Sequence, residues 1–129
     1  MNKFVIIDDD PIDHFLMQHI MQDINYFDET TYTMDGLLVL EYIEENKDLP
    51  EALPDVILVD LNMPHFSGWD FLDRYSDISV NLKKDIKVYI LSSSVRPADK
   101  ERSKSYPFIR SFISKPLDES VIAKIKMDN

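Results

Sequence analysis

The stretch VILVD, residues 56–60, places four consecutive apolar side chains directly before a carboxylate. A run without alternating polar residues is typical of a strand that helices cover on both faces, as in a parallel sheet. The turn-forming residues Asn62 and Pro64 follow shortly afterwards. The stretch therefore predicts a central strand that ends in Asp60.

Four further short runs of apolar or β-branched residues are also predicted strands. Residues 4–7 and 88–91 are continuous, like the run before Asp60, and so fit buried positions in the same sheet. The runs at residues 30–33 and 112–113 complete a set of five predicted strands.

Helix-like segments separate these runs. The first is the clearest, because Pro11 stands at the first helical position and Asp10 is placed to cap the helix. Mostly apolar residues then recur at the three- and four-residue spacing of a helix face: Ile12, Phe15, Leu16, His19, Ile20 and Ile24. Four more helices are predicted at residues 37–45, 69–75, 98–105 and 119–127, the last with Val121, Ile122 and Ile125 as its buried stripe.

Alternation of five strands with five helices predicts an α/β fold with a doubly wound, five-stranded parallel sheet, because right-handed crossovers can lay helices on both of its faces. The chain has 129 residues, 44% of them hydrophobic, which suits one core. Its two glycines and seven prolines mark no linker or repeat. We therefore expect a single domain at residues 1–129, with no output domain.

Composition narrows the classes of partner and compartment. A net charge of -10 and a pI near 4.6 oppose binding to nucleic acid or to an anionic membrane, since Lys and Arg drive both interactions. The absence of cysteine excludes a disulfide framework, a thiolate metal site and a thiol nucleophile. The first apolar run is too short for a secretory signal and no run reaches transmembrane length, so a cytoplasmic protein is expected.

Polar side chains follow four of the predicted strands. Asp8 and Asp9 follow the first strand, and Asp60 ends the third. Ser92 follows the fourth and Lys115 the fifth. Because open α/β sheets bind ligands beyond the carboxyl ends of their strands, these side chains are expected to converge. Three carboxylates at close range should raise the pKa of at least one of them.

A divalent cation would relieve this crowding of charge. Asp8, Asp9 and Asp60 offer hard oxygen ligands without a histidine or cysteine, a set that favours Mg²⁺ or Mn²⁺ over zinc or copper. The backbone carbonyl of Asn62 is a further candidate ligand. One such cation and the Lys115 ammonium together balance the three carboxylate charges, which leaves a neutral site for an anionic phosphoryl group.

Asp60 is the candidate nucleophile of this site. Attack of a carboxylate on phosphorus gives an aspartyl phosphate, and phosphoryl transfer depends mainly on positioning and charge neutralisation. Ser92 could donate its hydroxyl to a phosphoryl oxygen, and Lys115 could contribute a point charge to the same group. The residues therefore predict a phosphoryl-accepting site.

These segments resemble the receiver domains of response regulators in two-component signalling, of which the chemotaxis regulators are a minimal form. The resemblance rests on residues 4–10 with the acidic pair Asp8 and Asp9, on residues 56–64 and 67–69 with Asp60 as the acceptor, and on residues 88–93 and 112–117. It covers nearly the whole chain. It implies a flavodoxin-like (βα)5 fold in three layers.

The resemblance also implies roles at the metal site. Asp9, Asp60 and the carbonyl of Asn62 would hold Mg²⁺, or Mn²⁺, directly, and Asp8 would act mostly through water. The phosphoryl group would come from a histidine of a sensor kinase or phosphotransfer protein. The chain would then be a signalling domain, which catalyses only its own phosphorylation and dephosphorylation and passes the signal to an unknown downstream protein.

The remaining implied roles concern the switch. Ser92 would move toward the phosphoryl group, and the ring of Phe112 would change its rotamer in response. A cis peptide bond is implied between Lys115 and Pro116, where proline makes it accessible. Two stretches depart from the family pattern: Ser93 replaces a frequent alanine or glycine, and residues 105–110 replace the usual small residues before the fifth strand.

Two alternative functions remain open. A pseudo-receiver would keep the site as an interaction module that is never phosphorylated. A haloacid-dehalogenase-like phosphatase would use Asp8 and Asp10 as its Asp-x-Asp motif. However, Ile12 stands where that family has threonine, the chain has no room for a cap domain, and Asp60 would have no role.

Overall fold

The computed structural model describes residues 2–22, 24–93 and 96–128 of the chain. Within those ranges, no helix combines the length and the apolar character needed to cross a bilayer. Strands and helices alternate in the predicted order. The elements are β1 (Lys3–Ile7), α1 (Pro11–Gln22), β2 (Glu29–Thr33), α2 (Gly36–Glu45), β3 (Val56–Asp60), α3 (Gly68–Ser79), β4 (Lys87–Ser92), α4 (Pro97–Ser103), β5 (Ile109–Ser114) and α5 (Glu119–Met127).

The strands form one parallel sheet in the order β2-β1-β3-β4-β5. The chain runs outward from β1 to β2, crosses back to β3 and then continues to β5 at the opposite edge. Strand order therefore reverses between β1 and β3, which is where open α/β sheets bind their ligands. The predicted doubly wound parallel fold is confirmed.

β3 lies at the centre of the sheet, and all five of its residues are buried. Its side chains alternate between two core layers, because successive residues of a strand point to opposite faces. Ile57 and Val59 join one layer, whereas Val56 and Leu58 join the other. The first layer also contains Leu40, Ile43, Phe71, Leu72 and Tyr75, and the second contains Phe4, Ile6, Met17, Ile122 and Ile125. Thus α2 and α3 cover one face of the sheet, and α1 and α5 cover the other.

α1 turns a different face to the core from the one that its residue spacing indicates. Four residues of the predicted repeat are exposed: Ile12, Phe15, Leu16 and His19. The buried residues of the helix are His14 and Met17. Apolar residues therefore occupy two faces of α1, and the spacing alone selected the outer face.

Several element boundaries differ from the prediction by one to four residues, and two of these differences have a local reason. α3 begins one residue early because Ser67 and Asp70 form a capping box, with nitrogen–oxygen distances of 3.0 and 3.1 Å. β5 begins at Ile109 rather than at Phe112. The first half of β5 includes the exposed polar residues Arg110 and Ser111. They interrupt the run of apolar residues from which the strand was predicted.

α4 is tied to α3 by an aromatic cluster. The structure describes every residue of α4, and none of them is buried. Tyr106, in the loop after α4, donates a hydrogen bond to Asp73 Oδ1 on α3 at 2.5 Å and stacks on Trp69 with ring centroids 6.0 Å apart. The Arg102 guanidinium of α4 lies 4.3 Å from the centroid of the same Trp69 ring. These contacts, rather than a buried helix face, hold α4 in place.

Candidate functional site

The register of the sheet brings the predicted polar residues to one edge. Ile7 of β1 pairs with Val59 of β3, so Asp8 and Asp60 follow paired residues on adjacent strands. Asp60 itself pairs with Leu91, the residue before Ser92 on β4. Ser92 in turn pairs with Ser114, the last residue before Lys115, and Lys115 N–H donates to the Ser92 carbonyl at 2.8 Å. Ser94, which also follows β4, lies outside the described residues.

Three carboxylates form a compact group at this edge. One oxygen from each of Asp8, Asp9 and Asp60 lies within 4.8 Å of the other two. Asp8 and Asp60 are buried at 0% and 2% exposure, whereas Asp9 is half-buried. A group made only of carboxylate oxygens has the hard donor chemistry that suits Mg²⁺ or Mn²⁺.

Lys115 is the cation that the chain itself supplies to this group. Its Nζ atom lies 3.2 Å from Asp8 Oδ2 and 3.2 Å from Asp60 Oδ2. A third carboxylate is closer, since Asp13 Oδ2 on α1 accepts a hydrogen bond from the same ammonium at 2.5 Å. Burial alone would lower the pKa of Lys115, but these three carboxylates outweigh burial and raise it well above its usual range. The lysine is therefore charged whenever the carboxylates are.

The pKa of Asp8 is raised, mainly because the carboxyl is buried. Burial raises the pKa of Asp8 to about 7, and a hydrogen bond with Asp13 and the charge of Asp60 act in the same direction. The Asp10 N–H, which donates to Asp8 Oδ1 at 2.9 Å, and the charge of Lys115 oppose this rise. The sequence predicts a rise from repulsion between carboxylates; the pKa of Asp8 is raised, but burial is the main cause and the charge of Asp60 contributes less. Without a bound cation, this side chain is about half protonated at neutral pH.

The loop after β3 orients Asp60 through its own backbone. Asn62 N–H donates to Asp60 Oδ1 at 3.1 Å, which leaves Oδ2 toward Lys115. The loop then folds back so that Gly68 N–H reaches the Leu61 carbonyl at 3.1 Å. A Cβ atom on Gly68 would lie 2.4 Å from the Asp60 carbonyl oxygen, so only glycine fits this close approach.

The predicted hydroxyl group lies at the same edge. Ser92 ends β4 and is 1% exposed. The Asn62 side-chain amide donates to Ser92 Oγ at 3.4 Å, so the Asn62 side chain as well as its backbone belongs to the site. Ser93 is exposed beside it. Phe112 is partly buried against the core layer of α2 and α3, and its role as a moving ring stays a prediction.

Two further local predictions concern backbone features. The Lys115–Pro116 peptide bond is cis, as the resemblance implies. Asp10 is exposed and its Oδ1 accepts a hydrogen bond from Ile12 N–H at 2.9 Å, which confirms it as the N-cap of α1. The carboxylate of Asp10 therefore caps the amino end of α1.

Sequence reasoning missed two residues that contact the site. Asp13 lies in the first turn of α1, three residues after the Asp10 cap. Because α1 starts just beyond the end of β1, this spacing could have indicated that Asp13 lies near the site. The second is His14, which is 7% exposed and whose Nε2 lies 2.5 Å from the Asp8 carbonyl oxygen. His14 shares a helical spacing with Met17, Met21 and Ile24, which also pack in the core, and this spacing could have indicated that it faces inward.

Comparisons with known proteins agree with this geometry. The model of the response regulator receiver domain family matches residues 4–126. The 3′,5′-cyclic-nucleotide phosphodiesterase regA of Dictyostelium discoideum is 23% identical over 95% of this chain, which spans only 14% of the length of that relative. A two-component response regulator from Cytophaga hutchinsonii has the same fold, with a TM-score of 0.84, 24% identity and coverage of 100% of this chain and 98% of that one. The phosphorylated cyanobacterial phytochrome response regulator RcpA is 26% identical, with a TM-score of 0.72 and coverage of 98% and 89%.

Proposed function

Because the chain belongs to the response regulator receiver domain family, we propose that it is a phosphoacceptor of two-component signalling, in which Asp60 takes a phosphoryl group from a histidine of a sensor kinase or phosphotransfer protein. The observation that carries this proposal is the convergence of Asp60 with Asp8, Asp9 and Lys115 at one edge of the sheet. The solved structure of phosphorylated RcpA, a similar protein, supports it.

The geometry around Asp60 suits nucleophilic attack on phosphorus. The Asn62 N–H fixes one carboxylate oxygen, and the Lys115 ammonium lies 3.2 Å from the other. In the proposed step, a P–O bond forms to an Asp60 oxygen while the P–N bond to the donor histidine breaks. The bonding electron pair returns to the imidazole nitrogen. Lys115 then neutralises charge on the transferred group, and the Ser92 hydroxyl donates a hydrogen bond to it.

A divalent cation fits the same residues. Asp8, Asp9 and Asp60, together with the carbonyl of Asn62, are proposed to hold Mg²⁺, with Mn²⁺ as a possible substitute. The bound ion would supply positive charge that offsets the carboxylates and the incoming phosphoryl oxygens. The burial of Asp8 supports this assignment, because burial raises the pKa of this carboxyl and a bound cation would favour its charged form.

We further propose how the signal leaves the site. Ser92 and Phe112 would report phosphorylation, the hydroxyl by moving toward the phosphoryl group and the ring by repacking on β5. Residues 1–129 would act as one signalling domain in the cytoplasm, without contacts to nucleic acid or membrane. The receiver would pass its signal to a downstream protein rather than act on a substrate of its own.

The phosphatase alternative fits the site less well. It needs the carboxylates of Asp8 and Asp10 to act together, yet Asp10 is exposed and its side chain caps α1. Asp60, which the phosphatase would not use, is buried at the centre of the acidic group. The geometry therefore favours the receiver function.

Intact mass after incubation with acetyl phosphate tests the proposal. Wild-type protein should gain one phosphoryl group with Mg²⁺ and none with excess chelator, and Asp60→Asn should gain none. If wild type forms no adduct and beryllofluoride, a stable phosphoryl mimic, leaves its amide NMR spectrum unchanged, the chain is a pseudo-receiver. An adduct that survives in Asp60→Asn but is lost in Asp8→Asn would instead indicate phosphatase-like chemistry.

A further inference from the structure

One carboxylate beside the acidic group has no part in the proposed function. Asp13 lies on α1, outside the three carboxylates that can share a cation. Even so, its carboxylate is the nearest of three to the Lys115 ammonium, at 2.5 Å against 3.2 Å for both Asp8 and Asp60. The two residues are separated by 102 positions in the chain, so only the fold brings them together.

The position of Asp13 distinguishes it from the other two partners of Lys115. The side chains of Asp8 and Asp60 are 0% and 3% exposed, whereas that of Asp13 is 23% exposed. Asp13 therefore holds the ammonium from the solvent side. The stable start of α1, capped by Asp10, keeps the Asp13 backbone in place.

The ammonium of Lys115 is already engaged in this arrangement, since it donates hydrogen bonds to Asp13 and Asp60 and forms an ion pair with Asp8. A lysine side chain offers three N–H groups, and three carboxylates lie within 3.2 Å of its nitrogen. A phosphoryl group on Asp60 would need at least one of those N–H groups. Asp8 would gain a second positive partner once a cation is bound, whereas Asp13 lies outside the cation group and interacts with Lys115 and, through a hydrogen bond, with Asp8. Asp13 and the phosphoryl group must then share the same ammonium.

An acid in the first turn of a helix also has an ordinary explanation, because it interacts favourably with the helix dipole. That effect requires only an exposed position near the helix start. It does not require a direct contact with a lysine from another strand end. The contact between Asp13 and Lys115 therefore calls for a separate role.

We propose that Asp13 is a positioning residue for Lys115, which competes with the phosphoryl group for the ammonium and thereby shortens the time for which Asp60 retains that group. This inference rests on the proposed phosphoacceptor function. Removal of the Asp13 charge should free the ammonium for the phosphoryl oxygens. The identity of the residue at position 13 would then set the lifetime of the signal.

Beryllofluoride binding at saturating Mg²⁺, followed by amide NMR, measures this competition directly. Asp13→Asn should bind the mimic about tenfold more tightly than wild type, and its acetyl-phosphate adduct should persist about tenfold longer after the donor is removed. Asp13→Glu keeps the charge and should lie closer to wild type than Asp13→Asn does. Glu119→Gln removes an exposed acid from the first turn of α5 and serves as the matched control, with no change expected.

A second background separates a positioning role from direct repulsion between Asp13 and the phosphoryl group. In Lys115→Met, the Asp13→Asn change should alter beryllofluoride affinity by less than about twofold, because there is no ammonium left to release. An equal effect in both backgrounds, or no difference between Asp13→Asn and Glu119→Gln, would overturn the inference. Failure of the wild type to bind the mimic would instead overturn the proposed function, so the two failures are distinguishable.

Discussion

The backbone N–H of Lys115 donates a hydrogen bond to the carbonyl oxygen of Ser92 at 2.8 Å. This bond joins the ends of β4 and β5, so the two side chains proposed to contact the phosphoryl group are placed by one backbone link. The link does not involve the Ser92 hydroxyl. A change confined to that hydroxyl should therefore leave Lys115 in position.

Replacement of Ser92 by alanine tests the role of the hydroxyl alone. Ser92→Ala should still form the Asp60 adduct, but its affinity for beryllofluoride with Mg²⁺ should fall about tenfold, because one hydrogen bond to a charged group is lost. Ser93→Ala changes the exposed neighbouring hydroxyl and should leave the affinity unchanged. If both variants bind the mimic equally, Ser92 has no special part in phosphoryl binding.

The raised pKa of Asp8 predicts an unusual dependence of stability on pH. The folded protein holds the Asp8 proton up to about pH 7, whereas the unfolded chain releases it near 3.8. The stabilisation that this group contributes is therefore complete at low pH and is lost as pH rises through 7. Without metal, the free energy of unfolding of wild type relative to Asp8→Asn should fall by about 2 kcal/mol between pH 5 and pH 8.

Urea denaturation of the two proteins in the presence of chelator measures this difference. Asp13 and Lys115 do not contribute in this pH range, because the pKa of Asp13 is lowered from its usual acidic value and the pKa of Lys115 is raised further into the alkaline range. Added Mg²⁺ should stabilise wild type more at pH 8 than at pH 5, because the ion competes with the Asp8 proton. Parallel pH profiles for wild type and Asp8→Asn would contradict the prediction.

The two glycines of the chain provide a matched pair for the loop after β3. A Cβ on Gly68 would meet backbone atoms, 2.4 Å from the Asp60 carbonyl oxygen and 2.6 Å from Leu61 Cα. Gly68→Ala should therefore destabilise the fold by about 3 kcal/mol and weaken Mg²⁺ binding, since the loop carrying Asn62 must move. Urea denaturation and Mg²⁺ titration provide the measurements.

Gly36 is the control for that substitution. A Cβ there would come no closer than 3.3 Å, and the nearest atoms belong to the side chains of Phe71 and Phe66. Gly36→Ala should change the free energy of unfolding by less than about 1 kcal/mol, with Mg²⁺ affinity unaltered. A similar cost for both substitutions would show that the close approach at Gly68 is not the cause.

The hydrogen bond between Tyr106 and Asp73 predicts a local effect far from the site. Tyr106→Phe keeps the stacking on Trp69 but removes the hydroxyl, which should cost about 1 kcal/mol of stability. Amide hydrogen exchange should increase in α4 while phosphorylation of Asp60 is unchanged. Asp73→Asn, which weakens the acceptor, should have an effect of the same sign. Unchanged exchange in α4 in both variants would show that this hydrogen bond does not hold the helix.

The fold was predictable where one physical effect dominates. The run at 56–59 is fully buried on both faces, so its composition alone identifies β3. α1 was misjudged because apolar residues line its exposed face as well as its buried one, and hydrophobicity does not say which face meets the sheet. β5 was identified too late in the chain because an edge strand leaves Arg110 and Ser111 in solvent.

The site was predictable to the extent that strand ends determine it. Asp8, Asp60 and Lys115 each stand at or directly after the end of a strand, and parallel register then places them together. Asp13 was missed because it reaches Lys115 from a helix, and the path of α1 across the sheet is a tertiary property. The raised pKa could be predicted for the group of acids, but its assignment to Asp8 required the burial of each carboxylate.

Residues 105–110, the stretch that departs most from the family pattern, lead into the amino end of β5. In a parallel sheet this is the rim opposite the one where Asp60 and Lys115 gather. We therefore expect substitutions at exposed positions of this stretch, such as Ser105, to leave the chemistry of Asp60 unchanged. Residues 105–110 can therefore vary in sequence independently of the phosphoryl site, because the two lie at opposite ends of the same parallel sheet.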